Sequence, residues 1–236
     1  MSGADNATQM ADAFDDLVTQ GVYSEGHVHD EVFRRLFADG LTEALSLTDA
    51  ASPDILEVGC GAGAWLADML PLLDESRQGA QLFGSDISPQ MVETCRERFA
   101  GAITPERLFA GDILAESGYG GPDRRYDIIV AYDVVQQLPK AAQAQAFDEM
   151  VARLTDDGVL LIFDNEADSP FGRTMARKKF FTKYARLNLV PRYFCNARYP
   201  ELALEAKRLA KAGFKTRLVQ PNGLHKRYLI VKRQSS

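Results

Sequence analysis

Short apolar runs alternate along the chain with longer stretches in which apolar residues recur at helical spacing. Runs such as residues 127–131 and 158–163 are apolar on both faces, as expected for strands that helices cover on each side. The pattern predicts strands at residues 54–58, 81–85, 107–110, 126–132, 159–163, 216–220 and 228–232. It predicts helices at residues 63–73, 89–99, 141–154 and 199–212. This alternation indicates an α/β fold with a doubly wound parallel sheet.

The last two predicted strands are joined by residues 221–227 alone, which are too few for a crossover helix. That pair must therefore be an antiparallel hairpin. The expected fold is a seven-stranded, mostly parallel sheet with an antiparallel last strand. Two pieces lie outside the alternation: N-terminal helices within residues 7–47 and an insertion at residues 165–198, after the fifth strand.

The composition excludes a disordered, fibrous or membrane-spanning chain. Of the 236 residues, 46% are hydrophobic and 25% are charged, and no apolar run approaches the roughly 18 residues that a membrane helix needs. The first residues show no secretion signal. Three scattered cysteines without a C-x-x-C pair suit a reducing cytosol and exclude a disulfide scaffold or a cysteine zinc cluster. We therefore expect a cytoplasmic protein without a metal site.

Charge is strongly segregated between the two ends of the chain. Residues 165–236 carry 17 Lys and Arg against 4 Asp and Glu, a net charge of +13, which leaves −19 for residues 1–164. Such asymmetry favours an anionic partner at the C-terminal part, whether a phosphate, a carboxylate, a nucleic acid or a lipid headgroup. The alternative is a solvated basic face that offsets the acidic part of this molecule or of a second subunit.

A glycine-rich turn follows the first predicted strand, with glycines at positions 59, 61 and 63. Glycines let the backbone turn sharply and let a ligand lie against it, and the following helix N-terminus offers free N–H groups. The spacing Gly59-x-Gly61-x-x-Ala64 loosely fits a dinucleotide fingerprint. Glu57, however, precedes the turn by two residues, and its carboxylate would repel a pyrophosphate but attract an ammonium group. A purely structural turn is the other interpretation.

Carboxylates also follow the second, third and fourth predicted strands. Asp86 is placed to accept hydrogen bonds from both hydroxyls of a ribose, and Ser88 and Pro89 are placed to cap and open the next helix. Asp112 can accept from an adenine amino group, with Ile113 covering the ring. Taken singly, Asp86 and Asp112 also suit turn residues that bind backbone amides.

Together these strand ends resemble the class I S-adenosylmethionine-dependent methyltransferases, over roughly residue 53 to the C-terminus. The resemblance implies that S-adenosylmethionine is the cofactor. By residue it implies a cofactor site made of Glu57, Gly59, Gly61, Gly63, Asp86, Ile87, Asp112, Ile113 and Tyr132. The fourth strand lacks the Asp/Asn-Pro-Pro-aromatic sequence of amino-methylating DNA enzymes, which disfavours DNA base methylation.

Methyl transfer needs an acceptor oxygen or nitrogen in line with the departing sulfur, and it needs a base where the acceptor is a hydroxyl. The candidate residues near the expected acceptor pocket are Asp133, Gln136, Asn165, Glu166 and His225. Asp133 and His225 are the candidate catalytic groups. In the alternative interpretation, Asp133 caps the turn into residues 134–138 and His225 is an ordinary exposed hairpin residue.

The N-terminal region contains a His27-x-His29 pair that suggests a metal only weakly, because residues two apart on a helix face different directions. A helix start with Asp30 and Glu31 in its first turn is the stronger interpretation. Tyr23 and the loop at Gly26 resemble the elements that cover the cofactor in this family. The resemblance therefore implies a helical lid at residues 1–52 and a cofactor-binding domain at residues 53–236.

Basic and aromatic residues are interleaved after the fifth strand, within the insertion. Arg173, Arg177 and Lys178 are candidate ligands for an anionic acceptor. The expected function is methyl transfer to an oxygen or nitrogen of a small, anionic acceptor. The alternatives are RNA methylation through the basic C-terminal part, an NAD-dependent oxidoreductase and a non-catalytic protein that binds S-adenosylmethionine.

Overall fold

The sheet has the predicted seven strands and the predicted antiparallel last strand. The computed structural model describes residues 3–19, 31–76, 79–167, 198–221, 224 and 226–233. Its strands are β1 (Asp54–Val58), β2 (Gln81–Asp86), β3 (Leu108–Ala110), β4 (Tyr126–Tyr132), β5 (Leu154–Asn165), β6 (Phe214–Val219) and β7 (Lys226–Arg233). They form one seven-stranded sheet in the order β3-β2-β1-β4-β5-β7-β6. All neighbours are parallel except β7, which is antiparallel to both β5 and β6, so the predicted fold is confirmed.

Helices cover both faces of this sheet. They are α1 (Gly3–Thr19), α2 (Glu31–Leu47), α3 (Ala64–Ser76), α4 (Pro89–Arg98), α5 (Lys140–Ala152) and α6 (Leu202–Lys211). Alternate residues of the central strands point to opposite faces. Ile128 and Val130 join the core with α2, α3 and α4, while Ile129 and Ala131 join the core with α5 and α6. This two-sided burial explains why the runs are apolar throughout.

The largest boundary errors lie around β5. The helix predicted at residues 141–154 ends at Ala152, and the strand predicted at residues 159–163 begins at Leu154. The reason is the polar Thr-Asp-Asp-Gly stretch at residues 155–158, which hides the start of the strand although Leu154 already pairs with Tyr126. A shift of register between Tyr126 and Ile128 accommodates this stretch.

Helix α2 packs on the same side of the sheet as α3 and α4, and α1 contacts α4. A Cβ atom at Gly40 in α2 would lie 2.7 Å from Cζ of Phe163 in β5, so only glycine permits this close approach. Glu31 lies in the first turn of α2, as predicted, and Asp30 lies outside the described residues. In the part of the chain that the structure describes, no helix combines the length and the apolar character needed to cross a membrane.

Candidate functional site

The candidate site lies where the strand order changes direction. From β1 the chain proceeds to β2 and β3 on one side, and then returns to β4 and β5 on the other. In open α/β sheets, ligands bind at such a switch point, beyond the carboxyl ends of the strands. The glycine turn follows β1, and Asp133 follows β4, so both lie at this edge of the sheet.

Two kinds of glycine occupy the turn after β1. Gly59 and Gly63 are tightly packed, because a Cβ atom would come within 2.3 Å of Val134 Cγ2 and of Phe99 Cε2, respectively. At Gly61, with a φ of +52°, the nearest atom of the described residues to an added Cβ would be Met91 Sδ at 4.0 Å. Gly59 and Gly63 therefore serve packing, whereas Gly61 leaves its main chain open on one side.

Asp86 connects this turn to the end of β2. Its Oδ2 accepts from the backbone N–H of Gly61 at 2.8 Å, and its Oδ1 accepts from that of Ser88 at 2.9 Å. Burial raises the pKa of the Asp86 carboxyl, while these two hydrogen bonds oppose the rise and Asp15 of α1 adds to it. Asp86 thus lies beside the open glycine and also shapes the turn.

Ser88 and α1 meet next to Asp86. Ser88 caps α4 as predicted, since its Oγ accepts from the backbone N–H of Met91 at 3.0 Å. The same hydroxyl donates to Asp15 Oδ1, and that oxygen also accepts from the backbone N–H of Gln90 at 3.3 Å. Through Asp15, α1 is fixed to the start of α4.

Glu57 is buried beneath the glycine turn. Its carboxyl faces the backbone of Leu66 in α3, and its Oε2 has no hydrogen-bond partner among the described residues. Burial raises the pKa of this carboxyl well above its usual value, and the nearby Cys95 and Asp86 raise it further. The turn is therefore lined by acidic groups with an unused acceptor, which suits a cationic ligand.

The remaining predicted cofactor residues follow β2 and β3. Ile87 is partly exposed, whereas Ile113 is buried in the core beside Tyr119, whose hydroxyl donates to the Ile113 carbonyl at 2.9 Å. Asp112 Oδ1 accepts from the backbone N–H of Leu114 at 2.9 Å. Asp112 therefore acts as a turn residue in this structure, and it remains at the strand end where it was expected.

Tyr132 closes the site on the side of β4. Its ring packs at 4.2 Å from that of Trp65 and at 5.3 Å from that of Phe163, measured between centroids. The Nζ of Lys226 lies 4.2 Å from its centroid, within the range of a cation–π interaction. Burial raises the pKa of the Tyr132 hydroxyl, so it stays protonated at neutral pH.

Asp133, Asp164 and Lys226 form the charged cluster of the site. Asp133 Oδ1 pairs with Lys226 Nζ at 2.5 Å, and the Lys226 side chain is only 5% exposed. The interpretation of Asp133 as a cap is wrong: the turn at Val135–Gln137 has no side-chain cap from its N-cap residue, and the carboxylate binds Lys226 instead. Asp164 serves that turn, because its Oδ2 accepts from the backbone N–H of Gln136 at 3.1 Å.

The other candidates after β4 and β5 divide into two groups. Gln136 and Asn165 are buried next to each other, with Asn165 Nδ2 3.5 Å from Gln136 Oε1, and Asn165 Oδ1 has no partner among the described residues. Glu166 instead pairs with Arg227 at 3.1 Å and accepts from the backbone N–H of Ala203 at 3.3 Å. Glu166 thus anchors the start of α6.

Several predicted residues lie outside the described residues. These are Tyr23, His27, His29, Arg173, Arg177, Lys178 and His225. Across the described ranges, no group of three or more His, Cys, Asp or Glu side chains is arranged to hold a metal ion.

Lys226 and Asp164 were missed by reasoning from the sequence. Lys226 carries a usable signal, because β7 is antiparallel to β5 and its first residue therefore lies at the edge of the sheet where β5 ends. In the structure, Lys226 pairs with Asn165, the last residue of β5. Asp164 carries a signal as well, because it directly follows the strand predicted at residues 159–163, although β5 itself continues to Asn165.

Residues 56–160 match a family model described as a methyltransferase domain. Among solved structures, the chain is similar to magnesium protoporphyrin IX methyltransferase ChlM from Synechocystis PCC 6803 with bound S-adenosylhomocysteine, at 18% identity and a TM-score of 0.64, over 96% of this chain and 99% of that one. The same enzyme with bound S-adenosylmethionine gives 17% identity and a TM-score of 0.63, over 99% and 100%.

A third similar structure is the mitomycin 7-O-methyltransferase MmcR, at 19% identity and a TM-score of 0.57, over 94% of this chain and 60% of that one. No curated protein sequence matches the chain significantly. At these identities the structural likeness concerns the fold. The domain match over residues 56–160 and the shared fold agree with the resemblance that the strand-end motifs indicate.

Proposed function

We propose that this chain, whose residues 56–160 match a methyltransferase domain, binds S-adenosylmethionine and transfers the methyl group to an oxygen or nitrogen of a small, anionic acceptor. The observation that carries the proposal is the contrast within the glycine turn. Neighbouring side chains fill the space next to Gly59 and Gly63, whereas the space next to Gly61, which lies beside Asp86 and above Glu57, is open among the described residues. This is the arrangement expected where a ligand lies against the main chain.

The residues present fit S-adenosylmethionine better than a dinucleotide. Glu57, Asp86 and Asp15 place three carboxyl groups around the turn, and Glu57 Oε2 is an unused acceptor. Negative charge there opposes a pyrophosphate, whereas it favours the ammonium and sulfonium groups of S-adenosylmethionine. The charge around the turn therefore supports the methyl donor over NAD.

The position of each residue at the strand ends indicates which part of S-adenosylmethionine it would contact. The Gly61 main chain and Glu57 would hold the methionine end, and Asp86 would accept from the ribose hydroxyls through its free lone pairs. The adenine would lie between Ile87 and Ile113, with Asp112 at its amino edge. When bound, S-adenosylmethionine supplies an electrophilic methyl group on a positively charged sulfur. Tyr132 would border the methyl group, and Asp133 and Gln136 would contact the acceptor.

The nature of the acceptor rests on two supports. The similar structures include enzymes named for small-molecule acceptors, a magnesium protoporphyrin and a mitomycin. The net charge of +13 over residues 165–236 favours an acceptor that carries negative charge. Residues 1–52 are proposed to form a lid, because α1 is fixed beside Asp86 through Asp15.

Calorimetry with S-adenosylmethionine, S-adenosylhomocysteine and NAD tests the cofactor. We expect the first two to bind and NAD not to bind. Binding of NAD alone would favour an oxidoreductase. Binding of S-adenosylmethionine without methyl transfer to small molecules or RNA would favour a non-catalytic protein, and transfer to RNA alone would favour the RNA methyltransferase alternative.

A further inference from the structure

We propose that the acceptor atom is a hydroxyl oxygen, that Asp133 accepts its proton and that Lys226 donates a hydrogen bond to the same oxygen. This inference rests on the proposed function and narrows its choice between oxygen and nitrogen. It arises from the pairing of Asp133 with a buried lysine at the edge of the sheet where the methyl group would be transferred.

The position of Asp133 at the edge of the sheet and its positive φ both indicate a functional role. Asp133 directly follows β4 at the switch point, and its neighbour Val134 packs against Gly59 of the glycine turn. Its φ of +59° is the single positive value among the described residues other than glycine. Such a backbone is uncommon outside glycine, although Asp and Asn tolerate it better than other residues, and it is retained mainly where the surroundings or the function require it. Its side chain is still 35% exposed, so a ligand can reach the carboxylate.

Lys226 is held in place without using all of its donors. An ammonium group has three N–H donors, and Asp133 is its hydrogen-bond acceptor among the described residues. The ring of Tyr132 covers another side of the ammonium at 4.2 Å. At least one donor therefore remains for an oxygen placed next to Asp133.

Asn165 adds an independent sign that a polar ligand enters here. It lies directly opposite Lys226 in the pairing of β5 with β7, so the two side chains project from the same face of the sheet. Asn165 is 7% exposed, and its Oδ1 has no partner among the described residues. A buried amide oxygen without a donor is costly, and a second polar N–H or O–H group of the acceptor, separate from the reacting hydroxyl, would supply that donor.

The charges of the cluster select among acceptor atoms. Asp133 and Asp164 bring two carboxyl groups to one ammonium, and burial together with Asp133 raises the pKa of Asp164 well above its usual value. A carboxylate acceptor would meet repulsion and needs no base. An amine would be kept protonated by the carboxylates and is then not a nucleophile. A hydroxyl acceptor would engage both groups. The carboxylate of Asp133 would accept its proton, and the ammonium group of Lys226 would stabilise the negative charge that develops on its oxygen.

The reaction balances without any further reagent. The hydroxyl oxygen forms a bond to the methyl carbon as the bond between that carbon and sulfur breaks, and the electron pair of the broken bond stays on sulfur. The hydroxyl proton moves to the carboxylate of Asp133 and then to solvent. The products are a methyl ether, the demethylated thioether and one proton.

The first experiment identifies the acceptor atom. The protein is incubated with S-adenosylmethionine carrying a CD3 group and a protein-free small-molecule extract of its native host, and labelled products are located by mass spectrometry. A label in an ether supports the inference. A label on a carboxyl oxygen or a nitrogen overturns it and leaves the proposed function standing. A label on sulfur or carbon overturns both the inference and the proposed choice of acceptor atom. No labelled product overturns the proposed function and the inference with it.

The second experiment assigns the residues, using the labelled product's acceptor as substrate. Asp133→Asn keeps a residue type that tolerates positive φ, so we expect binding of S-adenosylmethionine to persist while kcat falls by about 10²–10⁴-fold. Lys226→Met should lower kcat by about 10²–10³-fold, and Lys226→Arg should restore part of it.

Matched controls come from the other ends of the same strands. Asp127→Asn in β4 and Lys232→Met in β7 remove the same charges far from the site, and we expect both to retain wild-type kcat. The inference is overturned if Asp133→Asn keeps wild-type kcat, or if the loss appears in the affinity for S-adenosylmethionine rather than in kcat.

Discussion

The backbone N–H of Gly61 donates to Oδ2 of Asp86 across 2.8 Å, and this bond joins the turn after β1 to the end of β2. The other oxygen of the same carboxylate accepts from Ser88. The interpretations of Asp86 as a ligand-binding residue and as a turn residue are therefore compatible, because each carboxylate oxygen keeps a second lone pair. Substitutions at Asp86 should affect both stability and binding.

Replacing Asp86 by alanine removes the proposed acceptor for ribose hydroxyls. We expect the affinity for S-adenosylmethionine to fall by roughly 1–3 kcal/mol, the scale of lost charge-assisted hydrogen bonds. The melting temperature should fall as well, because Gly61 and Ser88 lose their acceptor. Calorimetry and thermal unfolding measure the two effects, with the exposed Asp123→Ala as control. Unchanged affinity of the folded variant would remove Asp86 from the site.

At Gly61, a side chain should affect binding much more than folding. Gly61→Val should abolish binding of S-adenosylmethionine because the branched side chain would fill the open side of the turn. The positive φ adds a cost of about 1–2 kcal/mol, which corresponds to a melting temperature lower by roughly 2–8 °C. Normal binding by this variant would make the turn purely structural.

Gly59 provides the matched comparison for Gly61. Both have positive φ, so Gly59→Ala and Gly61→Ala carry a similar backbone cost. Only at position 59 would the new Cβ lie 2.3 Å from Val134 Cγ2. We expect Gly59→Ala to lower the melting temperature more than Gly61→Ala. Equal losses in thermal unfolding would contradict the distinction between a packed and an open glycine.

The fold and the strand ends were predictable because both depend on local pattern. Buried parallel strands require runs that are apolar on both faces, and ligand-facing residues must follow such runs. The start of β5 was not predictable in this way, since Thr155 and Asp156 are polar although Leu154 already pairs with Tyr126.

The charged cluster was less predictable because it joins distant parts of the chain. Asp133 and Lys226 are 93 positions apart. They meet because β7 is antiparallel to β5, so that Lys226, its first residue, lies beside the end of β5. Sequence pattern can place Asp133 at a strand end, but the direction of its carboxylate is decided by the buried partner. The cap interpretation failed for this reason, because Asp164 already binds the backbone of Gln136.

Replacing Glu57 by glutamine should raise the stability of the protein at neutral pH and weaken its binding of S-adenosylmethionine. The folded-state pKa of Glu57 lies above its ordinary value near 4.5, so the folded state binds more protons and wild-type stability falls as pH rises above that value. Removing the ionisable group should therefore stabilise the protein at neutral pH. The gain should shrink as pH falls toward 4.5, where the unfolded state also becomes protonated.

Thermal unfolding of both forms between pH 4.5 and 8 measures this difference. The variant should also bind S-adenosylmethionine more weakly, because the carboxylate proposed to attract its ammonium group is gone. A variant less stable than wild type at pH 8 would show that the Glu57 carboxylate has a partner that offsets its burial.

Ser88 and Asp15 allow the attachment of α1 to be tested apart from the cap of α4. Ser88→Ala removes both the cap and the contact with Asp15, and should cost about 0.5–2 kcal/mol of unfolding free energy. Asp15→Ala keeps the cap and should cost less. In both variants, hydrogen exchange in α1 should become faster. Unchanged exchange in Asp15→Ala would mean that other contacts hold α1.

The basic segment gives the last prediction, which concerns the acceptor rather than the cofactor. If Arg173, Arg177 and Lys178 hold an anionic acceptor, replacing all three by glutamine should raise the KM for the acceptor and reduce its dependence on salt. The affinity for S-adenosylmethionine should stay nearly unchanged, because the glycine turn and Asp86 belong to a different part of the chain.

The alternatives for this segment make different predictions. A solvated face predicts no kinetic effect of the triple substitution. An RNA-binding surface predicts that wild-type protein binds RNA at low salt and loses that binding steeply as salt rises, since each neutralised phosphate releases a counterion. Acceptor kinetics and RNA binding, measured on wild type and variant across salt concentrations, decide among the three. Tight RNA binding or full acceptor kinetics in the variant would contradict the small anionic acceptor.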